Sequence, residues 1–174
     1  MTTISPWIWL ALLFFFLLTC LHAASLRRLI PWSFQTHLWI MGGLWNLWNA
    51  GIVLLVIFLP ATTAFPTGLR IAGMALVFLG LILNIWHRML LGRERFMGGR
   101  CFERKYDTRM NGGLYRYLQN PVYDSIIVTF IGLAIWRENF EFLLLALAAF
   151  LFLNIFIGRI EGIPRNPHSS PHSP

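Results

Sequence analysis

Residues 71–86 read IAGMALVFLGLILNIW, and this run without a charged side chain decides the fold. An apolar run that approaches about 20 residues crosses a lipid bilayer as an α-helix, so a span is expected over 70–87. Similar runs predict spans over 7–24, 38–59 and 141–158, and a shorter one predicts a span over 122–137. The sequence therefore predicts an all-α protein, a polytopic membrane bundle of about five transmembrane helices that ends in a helical hairpin.

The composition supports this class. Hydrophobic residues make up 57% of the chain and charged residues only 12%, whereas a soluble domain carries about 25% charged residues. The net charge of +7 is local, and in so apolar a chain it indicates attraction to anionic lipid headgroups. A nucleic-acid partner is not expected, and membrane lipids are the expected surroundings.

The basic residues predict the topology of the chain. Of the 14 Lys and Arg residues, all but Arg70 and Arg137 follow the first, third or fifth predicted span. Short loops rich in Lys and Arg stay on the cytoplasmic side, which places the amino terminus outside and the carboxyl terminus in the cytoplasm. In this scheme residues 1–163 form one transmembrane domain with a cytoplasmic loop over 88–120. The polar, Pro-rich residues 164–174 are expected to be disordered.

Each predicted span carries small and polar residues on one helical face. Asn84 and His87 lie on such a face of the third span, and Asn154 and Glu161 lie on a face at the end of the last span. These polar residues are expected to converge near the cytoplasmic surface. Such faces can simply pack helices together through small residues and hydrogen bonds, or they can line a binding site. The sequence leaves both interpretations open.

Residues 113–123 read GLYRYLQNPVY and lead into the short fourth span. Asn120 is a good helix cap and Pro121 suits the first helical position, so a helix is expected to start there. Its free backbone N–H groups, with Arg116 and Tyr115 nearby, could bind a carboxylate or a phosphate. A capped helix start flanked by interfacial Tyr and Arg residues would explain the same pattern without a ligand.

This segment resembles the signature of the isoprenylcysteine carboxyl methyltransferase and phospholipid methyltransferase family of integral membrane enzymes. The resemblance covers about residues 70 to 162, including the final hairpin, and it rests on Gly113, Tyr115, Pro121, Tyr123, Gly132, Arg159 and Glu161. It implies that S-adenosylmethionine binds at the cytoplasmic face and that a lipid or prenyl-type acceptor reaches it from the bilayer. It implies cofactor contacts by Tyr115, Asn120, Pro121, Tyr123 and Glu161, with Arg159 close by. Arg116 is expected to bind the cofactor as a replacement for the arginine of the family signature.

The chain also departs from the family signature. Gln119 and Asn120 stand where the family has Arg-His, and the terminal Glu-Glu pair is reduced to Ile160 and Glu161. Methyl transfer needs mainly alignment of the reacting groups and exclusion of water, so the activity remains compatible with these changes. Glu161, Asn154 and Asn84 are the candidates to orient an acceptor, and no dedicated base is evident.

Two alternatives stay open at this point. The altered signature also fits a catalytically inactive accessory subunit that packs against other subunits of a larger membrane complex. The positions of His22, His37 and His87 near span ends would allow a haem or metal site, although interfacial histidines need no metal, and we assign no metal ligand.

Overall fold

The computed structural model describes residues 4–102 and 121–162, and these parts of the chain are helical. The helices are α1 (Pro6–Leu26), α2 (Phe34–Phe58), α3 (Thr67–Phe96), α4 (Pro121–Trp136), α5 (Glu141–Ala149) and α6 (Gly158–Gly162). A 3₁₀ turn covers Gly99–Cys101, and a π-helical stretch, Phe150–Ile157, joins α5 to α6 without interruption.

Among residues 4–102 and 121–162, four helical segments are long and apolar enough to cross a membrane: α1, α2, α3 and the continuous segment Glu141–Ile160. Helix α4 is apolar but shorter. The predicted polytopic helical bundle with a final hairpin is confirmed. The chain is an integral membrane protein.

Side-chain caps set the starts of the first two helices. Ser5 Oγ accepts a hydrogen bond from the Trp7 N–H at 3.3 Å, and Pro6 occupies the first turn of α1. Ser33 Oγ accepts one from the Thr36 N–H at 3.1 Å at the start of α2. Both caps satisfy a backbone donor that the helix itself leaves unpaired.

The two ends of the bundle differ in chemistry. One end, called here the basic end, holds the turn between α1 and α2, the last turns of α3, the start of α4 and α6. The other end, called here the Glu138 end, is held together by the contacts of Glu138. The Glu138 carbonyl accepts hydrogen bonds from the backbone N–H groups of Thr62 and Thr63 at 2.8 and 3.0 Å. The Glu138 side chain forms an ion pair with Arg70 at 3.8 Å. Glu138 therefore fixes the loop between α2 and α3 against the loop between α4 and α5.

Among the described helices, α3 and α4 share the most extensive interface. A Cβ placed on Gly73 would lie 2.6 Å from the Trp136 backbone nitrogen, and one on Gly132 would lie 2.7 Å from the Val77 backbone nitrogen. A Cβ on Gly80 would overlap Thr129 Oγ1. The small residues of the two helices thus face each other and let the backbones approach closely, as the helix-packing interpretation predicts.

Helix α3 is longer than the span predicted over 70–87, because it continues to Phe96. Gly92, with φ of 71° and ψ of 158°, interrupts it. This backbone conformation favours glycine, since a Cβ would be strained there. The break turns the final turn of α3, which carries Arg93 and Arg95, away from the helix axis. Residues 103–120, the remainder of the predicted 88–120 loop, lie outside the described part of the chain, as does the predicted tail over 164–174.

Helix α1 packs against α2, α5 and the π-helical stretch. Its buried residue Phe15 contacts Trp48 of α2 and Phe152 of the π-helical stretch, with ring centroids 5.0 and 6.2 Å away. Helix α2 packs along α1, whereas α2 and α3 share no extensive interface among the described residues. Among the described residues, α2 therefore joins the rest of the bundle mainly through α1.

Candidate functional site

The first turn of α4, at the basic end, gathers polar side chains from three helical segments. Asn84 of α3 donates a hydrogen bond from Nδ2 to Ser125 Oγ at 3.1 Å. Ser125 Oγ in turn donates to the Val122 carbonyl at 2.6 Å. Ser125 is buried and Asn84 is half-buried, so this link fixes the register of α3 against the start of α4.

The neighbouring residue, Asp124, accepts a hydrogen bond from the π-helical stretch that follows α5. Asn154 Nδ2 donates a hydrogen bond to Asp124 Oδ1 at 2.8 Å. Asn154 lies within the π-helical stretch, whose wider turn changes the direction in which successive side chains point. Stretches of π-helix are rare and are often found at functional sites. Here the stretch presents an amide to the only acidic side chain in the first turn of α4.

Asp124 is half-buried, and Asn154 occupies one of its two carboxylate oxygens. Among the described residues, no basic side chain lies within ion-pair distance of this carboxylate. An acidic group inside an apolar helix is expensive to maintain and usually marks a functional position. The cluster of Asn84, Ser125, Asp124 and Asn154, called here the α4 cluster, could therefore receive a cationic or hydrogen-bonding group.

The predicted site residues fall into two groups. Pro121 is the buried first residue of α4, Tyr123 is half-buried in the same turn, and Arg159 is exposed on α6. Glu161 belongs to α6, but its side chain lies outside the described part. Tyr115, Arg116 and Asn120 also lie outside the described residues, so their predicted cofactor contacts remain predictions.

Asp124 was not among the residues predicted for the site. It follows Tyr123 directly within the signature region, and a lone acidic residue in a predicted transmembrane helix is a signal by itself. The partner, Asn154, was recognised, but only the fold shows that its amide meets this carboxylate.

His22 and His37 lie next to each other, and His87 is a buried residue of α3. His22 of α1 and His37 of α2 lie with ring centroids 5.2 Å apart. His37 Nε2 lies 3.1 Å from the Met97 carbonyl, and Nδ1 lies 2.7 Å from Ser25 Oγ. Since a carbonyl only accepts, Nε2 donates and Nδ1 accepts from the Ser25 hydroxyl. Both nitrogens of His37 thus join α1, α2 and the segment that follows α3. Within residues 4–102 and 121–162, no group of three or more His, Cys, Asp or Glu side chains is placed to hold a metal ion.

Together the apolar helices and the polar cluster at one end define an integral membrane protein of the helical class with a candidate site at the membrane boundary. Residues 69–163 match the family described as phospholipid methyltransferase. The chain belongs to this family, and the matched region includes α3, α4 and the final hairpin.

A curated relative is similar over a shorter region. Phosphatidylethanolamine N-methyltransferase B of Dictyostelium discoideum is 29% identical over 76 residues, which are 43% of this chain and 38% of the relative. The match therefore spans less than half of that protein. No solved structure matches the chain.

S-adenosylmethionine is the usual methyl donor of this family. The described part of the site fits such a group, because the half-buried Asp124 carboxylate suits a cation and the Asn84 and Asn154 amides lie on either side of the same helical turn. Tyr123 adds an aromatic ring next to these groups in sequence.

Proposed function

We propose that this protein transfers a methyl group from S-adenosylmethionine to a membrane lipid at the cytoplasmic surface. Membership of the phospholipid methyltransferase family supports the reaction class. The observation that carries the proposal is the α4 cluster, which puts a half-buried carboxylate within the family-matched region.

The acceptor that suits this cluster best is an amine on a lipid headgroup. The Dictyostelium relative is named a phosphatidylethanolamine N-methyltransferase, and phosphatidylethanolamine is a lipid with an amine headgroup. An ammonium group must lose a proton before its nitrogen can accept a methyl group. Asp124 is the described acidic residue placed to orient the ammonium and to take up that proton, while Asn154 holds its other oxygen.

S-adenosylmethionine supplies a methyl group that is already activated on a sulfonium centre. The residues proposed to hold it are Tyr123, Pro121 and Asp124 in the first turn of α4. Tyr115, Asn120, Arg159 and Glu161 are added from the family resemblance, and Arg116 as the cation that replaces the arginine of the family signature. Asn84 acts through Ser125 by fixing α3 against α4. These residues need only align donor and acceptor and exclude water, which can contribute several kcal/mol to lowering the barrier.

A second candidate, an inactive accessory subunit, is favoured by one specific observation. Gln119 and Asn120 replace the Arg-His of the family signature, which removes a fixed cation that could pair with the carboxylate of the donor. Such a protein would bind other membrane subunits and would lack turnover.

Calorimetric titration of the purified protein with S-adenosylmethionine and with its demethylated product tests the proposal. We expect both to bind, since the product retains most of the contacts. Absence of binding by both compounds, together with co-purification of a stoichiometric partner in mild detergent, would favour the accessory subunit.

A further inference from the structure

A second polar region lies apart from the α4 cluster, where the start of α2 meets the end of α3. A groove of about 690 Å³ opens there and is lined by Gln35, Leu38, Leu91, Gly92, Arg93, Glu94 and Arg95. It lies at the basic end, where a bilayer would present its headgroups. The lining combines two arginines and the Glu94 carboxylate with the apolar side chains of Leu38 and Leu91. A phosphate that carries acyl chains complements the arginines and the leucines.

Arg93 forms one wall of this groove. Its guanidinium carbon lies 5.0 Å above the Trp39 ring centroid, and its Nη2 atom lies 3.9 Å from the point that a Cβ on Gly42 would occupy. The break at Gly92 turns Arg93 across the surface of α2. Within the described part of the chain, no carboxylate lies within ion-pair distance of Arg93. Glu94 and Arg95 make interactions of their own, so Arg93 is the cation of this groove to which we assign a ligand.

A polar stripe continues down α2 from the groove. Gln35, Trp39, Gly42, Asn46 and Asn49 follow one another at intervals of three or four residues, which places them on one face of the helix. Asn46 and Asn49 are exposed. Since Gly42 on this face lies next to Arg93, the stripe faces the space between α2 and α3, where the two helices share no extensive interface.

Exposed amides at this depth require a partner. An amide facing hydrocarbon without a hydrogen bond costs several kcal/mol, and within residues 4–102 and 121–162 no side chain bonds to Asn46 or Asn49. Asn46 lies about 6 Å and Asn49 about 10 Å below Gly42 along the helix, at 1.5 Å per residue. The ester carbonyls of a diacyl phospholipid likewise lie deeper in the bilayer than its phosphate, and they accept hydrogen bonds.

We propose that the space between α2 and α3 binds one diacyl phospholipid from the bilayer, with its phosphate against Arg93 and its ester carbonyls against Asn46 and Asn49. Arginine recognises phosphate through charge-assisted hydrogen bonds, and amides donate to carbonyls. This site goes beyond the proposed methyl transfer, because binding of the lipid requires neither a methyl donor nor turnover.

Native mass spectrometry of the full-length protein in detergent tests the site without any methyl donor. The ligands are dioleoyl phosphatidylcholine, dioleoylglycerol, which lacks the phosphate, and a dialkyl ether phosphatidylcholine, which lacks the ester carbonyls. The wild-type protein should bind the ester phospholipid most tightly. Arg93→Gln should weaken that binding by about tenfold or more, the loss expected for one charge-assisted hydrogen bond, and should leave dioleoylglycerol binding unchanged.

The paired substitution Asn46→Ala with Asn49→Ala should weaken binding of the ester lipid and spare the ether lipid. Arg70→Gln, at the Glu138 end, is the matched control and should leave all three ligands unaffected. Thermal unfolding identifies variants that lose the fold, and Arg93→Lys, which retains a cation, should bind more tightly than Arg93→Gln.

Equal binding of dioleoylglycerol and the phospholipid would overturn the proposal, as would equal losses in Arg93→Gln and Arg70→Gln. A dimer that dissociates when the two asparagines are replaced would overturn it in favour of contact with a second copy.

Discussion

At the scale of single residues, Asp124 is the side chain on which the proposed chemistry depends most. Its Oδ1 atom is held by Asn154 at 2.8 Å, so the carboxylate has a defined direction. Asp124→Asn retains an oxygen for that hydrogen bond and removes the charge and the ability to take up a proton. We expect kcat for methyl transfer to fall about 100-fold or more, the usual contribution of a positioned acid or base, with little change in thermal stability.

Glu141→Gln is the matched control for this substitution. Glu141 accepts a hydrogen bond from the Ser5 N–H at 2.8 Å at the Glu138 end, and a glutamine oxygen can accept it as well. Activity of the control should remain close to that of the wild type. If Asp124→Asn keeps full activity while Glu141→Gln also does, Asp124 has no part in the reaction.

At the scale of elements, the glycine contacts between α3 and α4 position the site. A Cβ on Gly80 would lie 2.8 Å from the Ser125 carbonyl and would overlap Thr129 Oγ1. Overpacking of this kind typically costs about 1–3 kcal/mol. Gly80→Ala should therefore lower the melting temperature in detergent, and it should reduce activity because Ser125 carries the link to Asn84.

The control for this element is Gly43→Ala in α2. Apart from Gly43, its chain neighbours and the adjacent helix backbone, no atom lies within 4 Å of the point that a Cβ on Gly43 would occupy. Alanine favours a helix over glycine by about 1 kcal/mol. The melting temperature of this variant should stay the same or rise. Equal destabilisation by both substitutions would argue against close α3–α4 packing as the cause.

Most of the helices were predictable from the sequence, but the end of one helix was not. Uncharged runs were sufficient to predict α1, α2 and the short α4, because the composition of a bilayer-spanning helix is enough to distinguish it from a loop. The end of α3 was not predictable in this way, since Arg93, Glu94 and Arg95 have the composition of a loop and are nevertheless helical beyond the break at Gly92.

The candidate site was predictable only in part, for a similar reason. Asn84 and Asn154 were expected near one end of the bundle, and both do contact the first turn of α4. Their particular partners, Ser125 and Asp124, depend on how three helical segments pack. The π-helical turn that directs Asn154 leaves no recognisable pattern in its apolar sequence.

At the scale of the whole molecule, the family match covers α3, α4 and the hairpin, whereas α1 and α2 precede it. Helix α1 supports the hairpin, and α2 borders the space proposed to hold a phospholipid. The basic end carries Arg27, Arg28, Arg93, Arg95 and Arg159, which supports our proposal that this end faces the cytoplasm.

Cysteine labelling tests that orientation. In a background with Cys20→Ser and Cys101→Ser, Leu29→Cys reports on the basic end and Ala61→Cys on the Glu138 end, since both positions are exposed. In sealed right-side-out vesicles, a membrane-impermeant maleimide should label Ala61→Cys at once and Leu29→Cys only after detergent is added. The reverse pattern would show that the bundle is inserted the other way.

The most direct test of the central claim is transfer of a labelled methyl group. Purified protein in nanodiscs that contain phosphatidylethanolamine is incubated with S-adenosylmethionine labelled on its methyl group, and the lipid fraction is extracted and counted. We predict that label enters the lipid with the wild-type protein and with Glu141→Gln, and is reduced about 100-fold or more with Asp124→Asn. A lipid fraction that stays unlabelled, with this lipid and with a total membrane lipid extract, would contradict the account.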